Sequence, residues 1–467
     1  MVASPWPHRR SPVVADAAGQ FHDRRFPMRL WLKIAVAAAM TLAILVPLMM
    51  IFGVIQERQR YRQEVVLDIA RNVGQAQTLA GPVLVVPYVD TVEKETTDDK
   101  GATRRVREQR ELREYFFPET LKSGGVLTPS IHARGLHAVR TYHWRGELAA
   151  GFDVTLPIAP AGVERRLGQP YLSWGIADVR GLRGTPVVEV DGRKVSPRQG
   201  SGVAGRAGLH VVLPAVAPGR AMKFGTRLAI TLAGTERFGI LPLARSNDIV
   251  LKSDWEHPSF SGILPRHDIN PQGFDAYWQV DALATDAQQR WREGDWVDDS
   301  RDVARVVLVD PVNPYLMAER ATKYGVLFVA LTFAGFFMFE LIRQVRVHPI
   351  QYGLVGLAIA IFFLLLLSLS EHIAFGWAYL AAASACVGLI GFYLSAVLGG
   401  IGRGLGFAAM LATLYAALYG LLLMEDNALA VGSGLLFVIL AAIMVATRKM
   451  DWYALGGGRL PPPLSPG

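Results

Sequence analysis

The sequence predicts a membrane protein with six α-helical transmembrane spans and an inserted, mainly-β periplasmic domain. Two observations carry this. One apolar run lies near the N-terminus, from Leu30 to Ile55, and the others crowd the last third, between Gly325 and Ala446. Each is long enough to supply the ~20 apolar residues that span a bilayer core. Between them lies a long polar stretch in which short β-rich runs alternate with Gly and Pro.

Composition fits this division. With 467 residues, 51% hydrophobic and 19% charged, the chain can build a membrane bundle and a separate soluble core. The net charge of +8 is no nucleic-acid signature, and nucleic acid is not an expected partner. Much of the excess sits beside spans, at His8-Arg9-Arg10, Arg24-Arg25, Arg29 and Lys33, where membrane orientation requires it. The lone cysteine, Cys386, stands among Ala381, Ala382, Ala383, Ser384 and Gly388, and reads as a small, inert core residue. The polar stretch has no cysteine, which excludes disulfides and cysteine-based metal sites there.

In chain order, residues 1–30 read as a disordered basic cytoplasmic tail and 31–55 as the first membrane anchor. A cleaved signal peptide is excluded because the apolar run is long and no small-residue cleavage site follows it. Residues 56–322 form the β domain. It opens with a helix over Glu57–Leu79, where Tyr61, Val65, Ile69 and Val73 recur near helical spacing, and Gly81-Pro82 stops that helix. Strands are expected at Val83–Val86, Val187–Val190, Leu209–Leu213, Leu228–Leu232 and Val303–Val309. Asp191-Gly192 and Gly234-Thr235 read as turns, and the charged segment Glu93–Glu114 as an exposed hairpin or loop around Asp98-Asp99-Lys100-Gly101. Residues 323–447 form a five-helix bundle, with spans at roughly 324–342, 350–369, 373–398, 405–424 and 428–446. Residues 448–467 read as a disordered cytoplasmic tail rich in Gly and Pro.

Lys and Arg alternate through the links. Arg343 and Arg346, then Arg403, then Arg448-Lys449 mark one side. Ser370-Glu371-His372 and Glu425-Asp426-Asn427 mark the other. The positive-inside rule then puts both termini in the cytoplasm and the β domain outside it. Arg58, Arg60 and Arg62 lie on the opposite side from the rule's preference, outnumbered by the N-terminal cluster.

Catalytic signatures are absent: no H-E-x-x-H, G-x-S-x-G or G-x-x-x-x-G-K-[ST] occurs. Gly400-Ile401-Gly402-Arg403-Gly404 reads as a flexible link between spans. His132, His137 and His143 cannot meet if they lie along one strand, because residues of equal parity share a face and six residues cover about 20 Å. In Trp255-Glu256-His257-Pro258-Ser259-Phe260-Ser261-Gly262, Pro258 keeps His257 and Ser259 from meeting as base and nucleophile. A rigid aromatic loop packing Trp255 and Phe260 is the simpler reading. Glu340 and Arg343 form an i,i+3 pair at the inner end of the second span. Glu371 and His372 either end a hairpin or relay protons and bind ions at the membrane edge. Ser384, Gly388 and Gly391 allow close helix approach, and Tyr415 and Tyr419 share a helix face; both patterns read as bundle packing.

Several stretches carry a resemblance to a known family. They are Arg320–Phe328, Leu331–Phe333, Phe336–Glu340, His348–Gly356 and Leu367–His372 in the membrane part. In the domain they are Gly81-Pro82 before Pro87-Tyr88, Trp255–Gly262, Leu264-Pro265 and Gly273-Phe274. With these the chain resembles the CreD cell envelope integrity family over nearly everything except its tails. The resemblance implies an inner-membrane protein of a Gram-negative bacterium, linked to envelope integrity, colicin tolerance and a two-component stress regulon involved in β-lactam response. It brings no catalytic residue, metal or cofactor with it.

The expected function is therefore non-enzymatic maintenance of, or response to, the state of the envelope. The expected partners are the lipid bilayer, and envelope proteins or cell-wall components. A transporter or lipid-handling protein is the alternative, and a membrane enzyme acting on envelope polymers is a third. Functional candidates are Glu371, His372, Glu340, His348, Trp255 and His257.

Overall fold

The structure, a computed structural model, describes residues 30–97, 103–135, 137–294, 301–308, 314–343, 347–424 and 428–448. The readings placed on the two tails, on Asp98–Gly101, on Arg346 and on Glu425–Asn427 fall outside the described residues. The chain divides into two compact units. One contains the described parts of Met1–Met49, Lys323–Phe362 and Ala383–Gly467; the other contains Met50–Thr322 and Phe363–Ala382.

Helix α1 (Leu30–Val73) runs unbroken for 44 residues, with Pro47 inside it. The expected helix beyond the first span is present, but its expected stop is corrected. The helix ends at Val73, and Gly81-Pro82 lies inside the first strand. Gly74, at φ +130°, makes the exit: a Cβ there would come within 2.7 Å of the Ala233 carbonyl oxygen. Gly81 and Pro82 mark a bulge, where pairing shifts between Ala80 and Val83. Proline has no N–H to give a ladder, so a bulge tolerates it.

Strands β1 (Gln77–Thr97) and β2 (Thr103–Phe116) form a long charged hairpin, and β3 (Thr120–Arg134) and β4 (His137–Thr155) a second. Then follow β5 (Val163–Leu167), β6 (Tyr171–Ile176), β7 (Leu182–Val190), β8 (Arg193–Val195), β9 (Arg198–Gln199) and β10 (Gly208–Val212). Next come β11 (Ala221–Thr235), β12 (Arg237–Leu241), β13 (Ser246–Ser253), β14 (Pro258–Gly262), β15 (Arg266–Asn270) and β16 (Gly273–Asp281). Short helix α2 (Ala287–Glu293) precedes β17 (Ala304–Leu308).

These strands build two sheets. A nine-stranded sheet runs β14-β17-β12-β1-β6-β10-β9, with β2 and β5 also paired to β1. An eight-stranded sheet runs β15-β16-β13-β3-β4-β11-β7-β8. One apolar cluster joins them: Leu172 and Trp174 of β6 and Phe238 of β12 from the first sheet, Trp144 and Leu148 of β4 and Leu228 of β11 from the second. Alternation along β4 and β11 sends every second side chain into this core. On the outer side of the first sheet, Trp291 of α2 packs with Val83, Val85 and Leu243.

Asp191 (φ 47°) and Gly192 (φ 75°) make the tight β7–β8 turn that the sequence indicates. The expected turn at Gly234-Thr235 is corrected. Both residues belong to β11, and the chain turns at Glu236 (φ 60°). Gly234 is small for another reason: a Cβ there would run into the Tyr142 hydroxyl.

The remaining helices are α3 (Pro314–Arg343), α4 (Pro349–Ser370), α5 (Phe375–Val397), α6 (Ile401–Leu423) and α7 (Ala428–Thr447). Among the described residues, five helices are long and apolar enough to cross a membrane: Ala38–Val73, Pro314–Glu340, Pro349–Ser370, Phe375–Val397 and Ile401–Leu423. The apolar stretch Ala430–Val445 in α7 is shorter. Helix α3 starts well before its expected first residue, and α6 begins at Ile401, so Ile401–Gly404 is helical rather than a flexible link. Gly391 and Gly404 bring α5 and α6 together: their added Cβ atoms would lie 2.9 Å from Ala408 Cβ and 2.7 Å from Ser395 Cα. Gly388 has open space instead. Cys386 is buried and accepts a 3.1 Å hydrogen bond from the Tyr415 hydroxyl.

Candidate functional site

Two polar clusters in the unit that holds both sheets combine burial with full-length ties between distant segments. The first is a knot where α1 enters the sheets. Gln77 donates through Nε2 to the carbonyls of Asp178 (2.8 Å) and Ala233 (3.1 Å), and its Oε1 accepts from the Asp178 N–H at 3.2 Å. The Tyr142 hydroxyl accepts from the Gln77 N–H and donates to the Arg237 carbonyl. Arg183 caps the end of α1 by donating to the Val73 carbonyl at 2.6 Å, and Thr235 donates to the Gly74 carbonyl at 2.7 Å. Burial alone would raise the Asp178 carboxyl. The paired Arg180 guanidinium and the N–H groups of Gln75 and Arg180 outweigh it and hold the carboxyl below its ordinary range. With its polar atoms matched in this way, such a knot is rigid.

The second cluster gathers four segments around His137. This residue opens β4, and the alternation of that strand places it on the same buried face as Val139 and Thr141. His137 is only 4% exposed. Tyr61 of α1 packs on its ring with centroids 5.3 Å apart, and Tyr315 of α3 at 5.9 Å. The Tyr315 hydroxyl lies 3.5 Å from His137 Nδ1 and donates to Glu371 Oε1 at 3.2 Å. Arg58 of α1 approaches the same carboxylate oxygen at 3.7 Å. The Glu371 side chain is 8% exposed. Burial pushes the His137 imidazole below the usual histidine range; Glu371 opposes this, and Arg62 and Arg58 add to it.

The structure therefore separates Glu371 from its neighbour. His372 is exposed, with Nδ1 3.0 Å from the Ser368 carbonyl. Glu340 is buried in the other unit, where it accepts from the Tyr352 hydroxyl at 2.9 Å, and Phe333 and Phe336 pack on that tyrosine ring. The Arg343 side chain lies outside the described residues. His348 is exposed at the start of α4, with Nδ1 accepting from the Ile350 N–H at 3.3 Å. The Trp255 indole donates to the His257 carbonyl at 2.8 Å, under the Arg140 guanidinium at 4.4 Å. His257 and Ser259 are exposed, while Phe260 packs against Phe274 and Trp278. His132 belongs to β3 and His137 and His143 to β4, so the three do not lie along one strand. His132 bonds Thr141 at 2.7 Å. Among the described residues no group of three or more His, Cys, Asp or Glu side chains is placed to hold a metal.

Sequence reasoning did not single out Gln77, Tyr142, Asp178 or Tyr315. The residues Gly74 and Pro314-Tyr315, each at the edge of a helix, were the available signals. The inward parity of His137 along β4 was another.

Helices long enough to cross a membrane, flanking a domain of two large sheets with buried polar ties, define a class: membrane proteins with a folded β domain inserted after the first helix. Similarity to known proteins narrows the class. A family model described as "Inner membrane protein CreD" matches residues 29–453. The chain is also 34% identical over 421 residues to the Inner membrane protein CreD of Escherichia coli (strain K12), covering 88% of this chain and 91% of that relative. The chain belongs to the CreD family.

Proposed function

We propose that this chain is a six-span inner-membrane protein whose β domain lies in the periplasm and contributes, without catalysing a reaction, to envelope integrity and envelope-stress response. Both termini are cytoplasmic in this reading, and α7 supplies the sixth span. The domain limits are 56–322 for the β part and 323–447 for the bundle that follows. One observation carries the proposal. Helix α1 runs without a break from its apolar run to the knot at Gly74–Gln77, where hydrogen bonds tie it to both sheets. A helix that continues from the apolar run into the domain suits a protein that holds or reports the state of the envelope. The Lys/Arg alternation supports the orientation, and CreD membership supports the envelope role. Envelope proteins or cell-wall components are the partners this reading assigns to the domain.

Complementation tests it. A strain lacking its own CreD should regain normal tolerance of detergent, colicin and β-lactam when it expresses this chain. Loss of tolerance should return when residues 77–308 are deleted from a chain that still accumulates in the membrane. Full complementation by that deletion would overturn the role assigned to the domain.

A second reading, transport or lipid handling, draws support from Glu340. An ionisable side chain that is 4% exposed within an apolar helix marks a functional position by default. Glu340→Gln that abolishes the envelope phenotype at normal abundance would favour this reading.

A further inference from the structure

Arg58 and Arg62 stand one turn apart on α1, on the side of the membrane where the charge rule disfavours them. The structure accounts for their position. Arg58 reaches Glu371, and both arginines direct positive potential at His137. The imidazole is thus nearly closed from solvent between two tyrosine rings, with the Glu371 carboxylate reached through the Tyr315 hydroxyl and the positive charges of Arg58 and Arg62 acting on it. Two further ionic groups on the packed elements have partners of their own. Arg134, the cross-strand partner of His137, pairs with Asp68 of α1, and Glu319 of α3 accepts from Gln59 at 2.8 Å.

We propose that His137 is the proton-sensitive bolt of a clasp: neutral, it keeps the α4–α5 link and the start of α3 fastened to the β3–β4 hairpin and α1, and its protonation on acidification releases them. Three physical points support this. A buried imidazolium loses its hydration, and of the charged groups that act on the ring only Glu371 is negative. Glu371 is already engaged by Arg58 and Tyr315. The charges of Arg58 and Arg62 oppose the added proton. The release path is short, because the link between Ser370 and Phe375 reaches the cluster through the Glu371–Tyr315–His137 chain of contacts. The sign is fixed by linkage. A histidine held below its ordinary range in the closed state contributes closure above that range, and closure is lost as pH falls. The proposal uses the periplasmic placement of this end only to say where the protons come from.

The test is hydrogen–deuterium exchange of the full-length protein in nanodiscs, corrected for intrinsic rates. Between about pH 7.5 and 5.5, amides of the Ser370–Phe375 link and of the β3–β4 hairpin should exchange up to about tenfold faster, the limit for one histidine titrating only when open. Amides of the Gln77 knot should not change. In His137→Gln the acceleration should vanish. Arg62→Gln guards against a variant that does not fold: without this cation protonation opposes closure less, and the acid response should shrink. A flat wild-type response would overturn the proposal, as would a full response in His137→Gln or an unaltered one in Arg62→Gln. The measurement uses purified protein, so an inverted topology in cells would leave it untouched.

Discussion

The Tyr315 hydroxyl donates to Glu371 Oε1 at 3.2 Å, joining the first turn of α3 to the link that follows α4. That bond distinguishes two residues that look alike in sequence. Glu371 is buried among Tyr315, Arg58 and His137, and His372 faces outward. Glu371→Ala takes the acceptor from Tyr315 and the counter-charge from Arg58, and should cost about 1–3 kcal/mol. His372→Ala should stay within about 0.5 kcal/mol. Thermal unfolding of the purified protein in detergent measures both, and equal effects would contradict the assignment.

Two glycines in one sheet should respond in opposite ways to alanine. At Gly234 a Cβ would collide with the Tyr142 hydroxyl and lie 2.9 Å from Gln77 Cγ, both members of the knot. At Gly124, on β3, nothing lies within 4 Å. Gly234→Ala should therefore destabilise the domain by about 1–3 kcal/mol. Gly124→Ala should be neutral or stabilising by a few tenths, about the entropy a flexible residue loses on folding. Urea titration of the two variants decides it.

The apolar runs and the β alternation were legible because each depends on local periodicity. The helices from α3 to α7 fall where the runs do, and Val187–Val190, Leu209–Leu213 and Leu228–Leu232 all lie on or beside strands. The site was far less legible. Its bonds join residues far apart in the chain: Gln77 meets Ala233, and His137 meets Tyr315. Local patterns do not encode such pairings. The same limit explains Gly234. A glycine before a polar residue reads as a turn, whereas here it makes room for a tyrosine from the neighbouring strand. The continuation of α1 past its apolar run was legible in the spacing of Val65 and Ile69, which pack on Val139, whereas its end at Val73 was not, because Gly74 is fixed by the close approach of Ala233 from a distant strand.

Asp90 and Arg165 tie β1 to β5 through a two-pronged ion pair, at 2.7 and 2.8 Å, with side chains 11% and 9% exposed. Hydrogen bonding from Arg165 holds the Asp90 carboxyl below its ordinary range, against the upward push of burial. A depressed carboxyl contributes stability above its unfolded value, and that contribution is lost as pH falls through the folded one. Acid unfolding of the wild-type domain should therefore include a component that Asp90→Asn lacks. At neutral pH the substitution should cost about 1.5–3 kcal/mol, the range for hydrogen bonds to charged groups. Melting temperatures of both proteins between about pH 7 and pH 3 check the slope, and parallel curves would show that the pair does not contribute it.

Orientation can be read with reporters. Lys and Arg mark alternate links, and large domains translocate largely regardless of their own charge. Fusions after Arg346, Arg403 and Arg448 should behave as cytoplasmic, and fusions near Lys252 and Glu425 as periplasmic. The fusion after Arg448 is the most informative. It reports whether α7 crosses, and the apolar stretch Ala430–Val445 is shorter than that of the five longer helices. A helix gains about 1.5 Å per residue, so the 20 residues of Ala428–Thr447 reach about 30 Å, enough for a hydrocarbon core. A periplasmic signal after Arg448, with a cytoplasmic one after Arg403, would leave α7 on one side of the membrane and reduce the protein to five spans. A cytoplasmic signal at Lys252 would invert the whole topology, and with it the side from which protons reach His137.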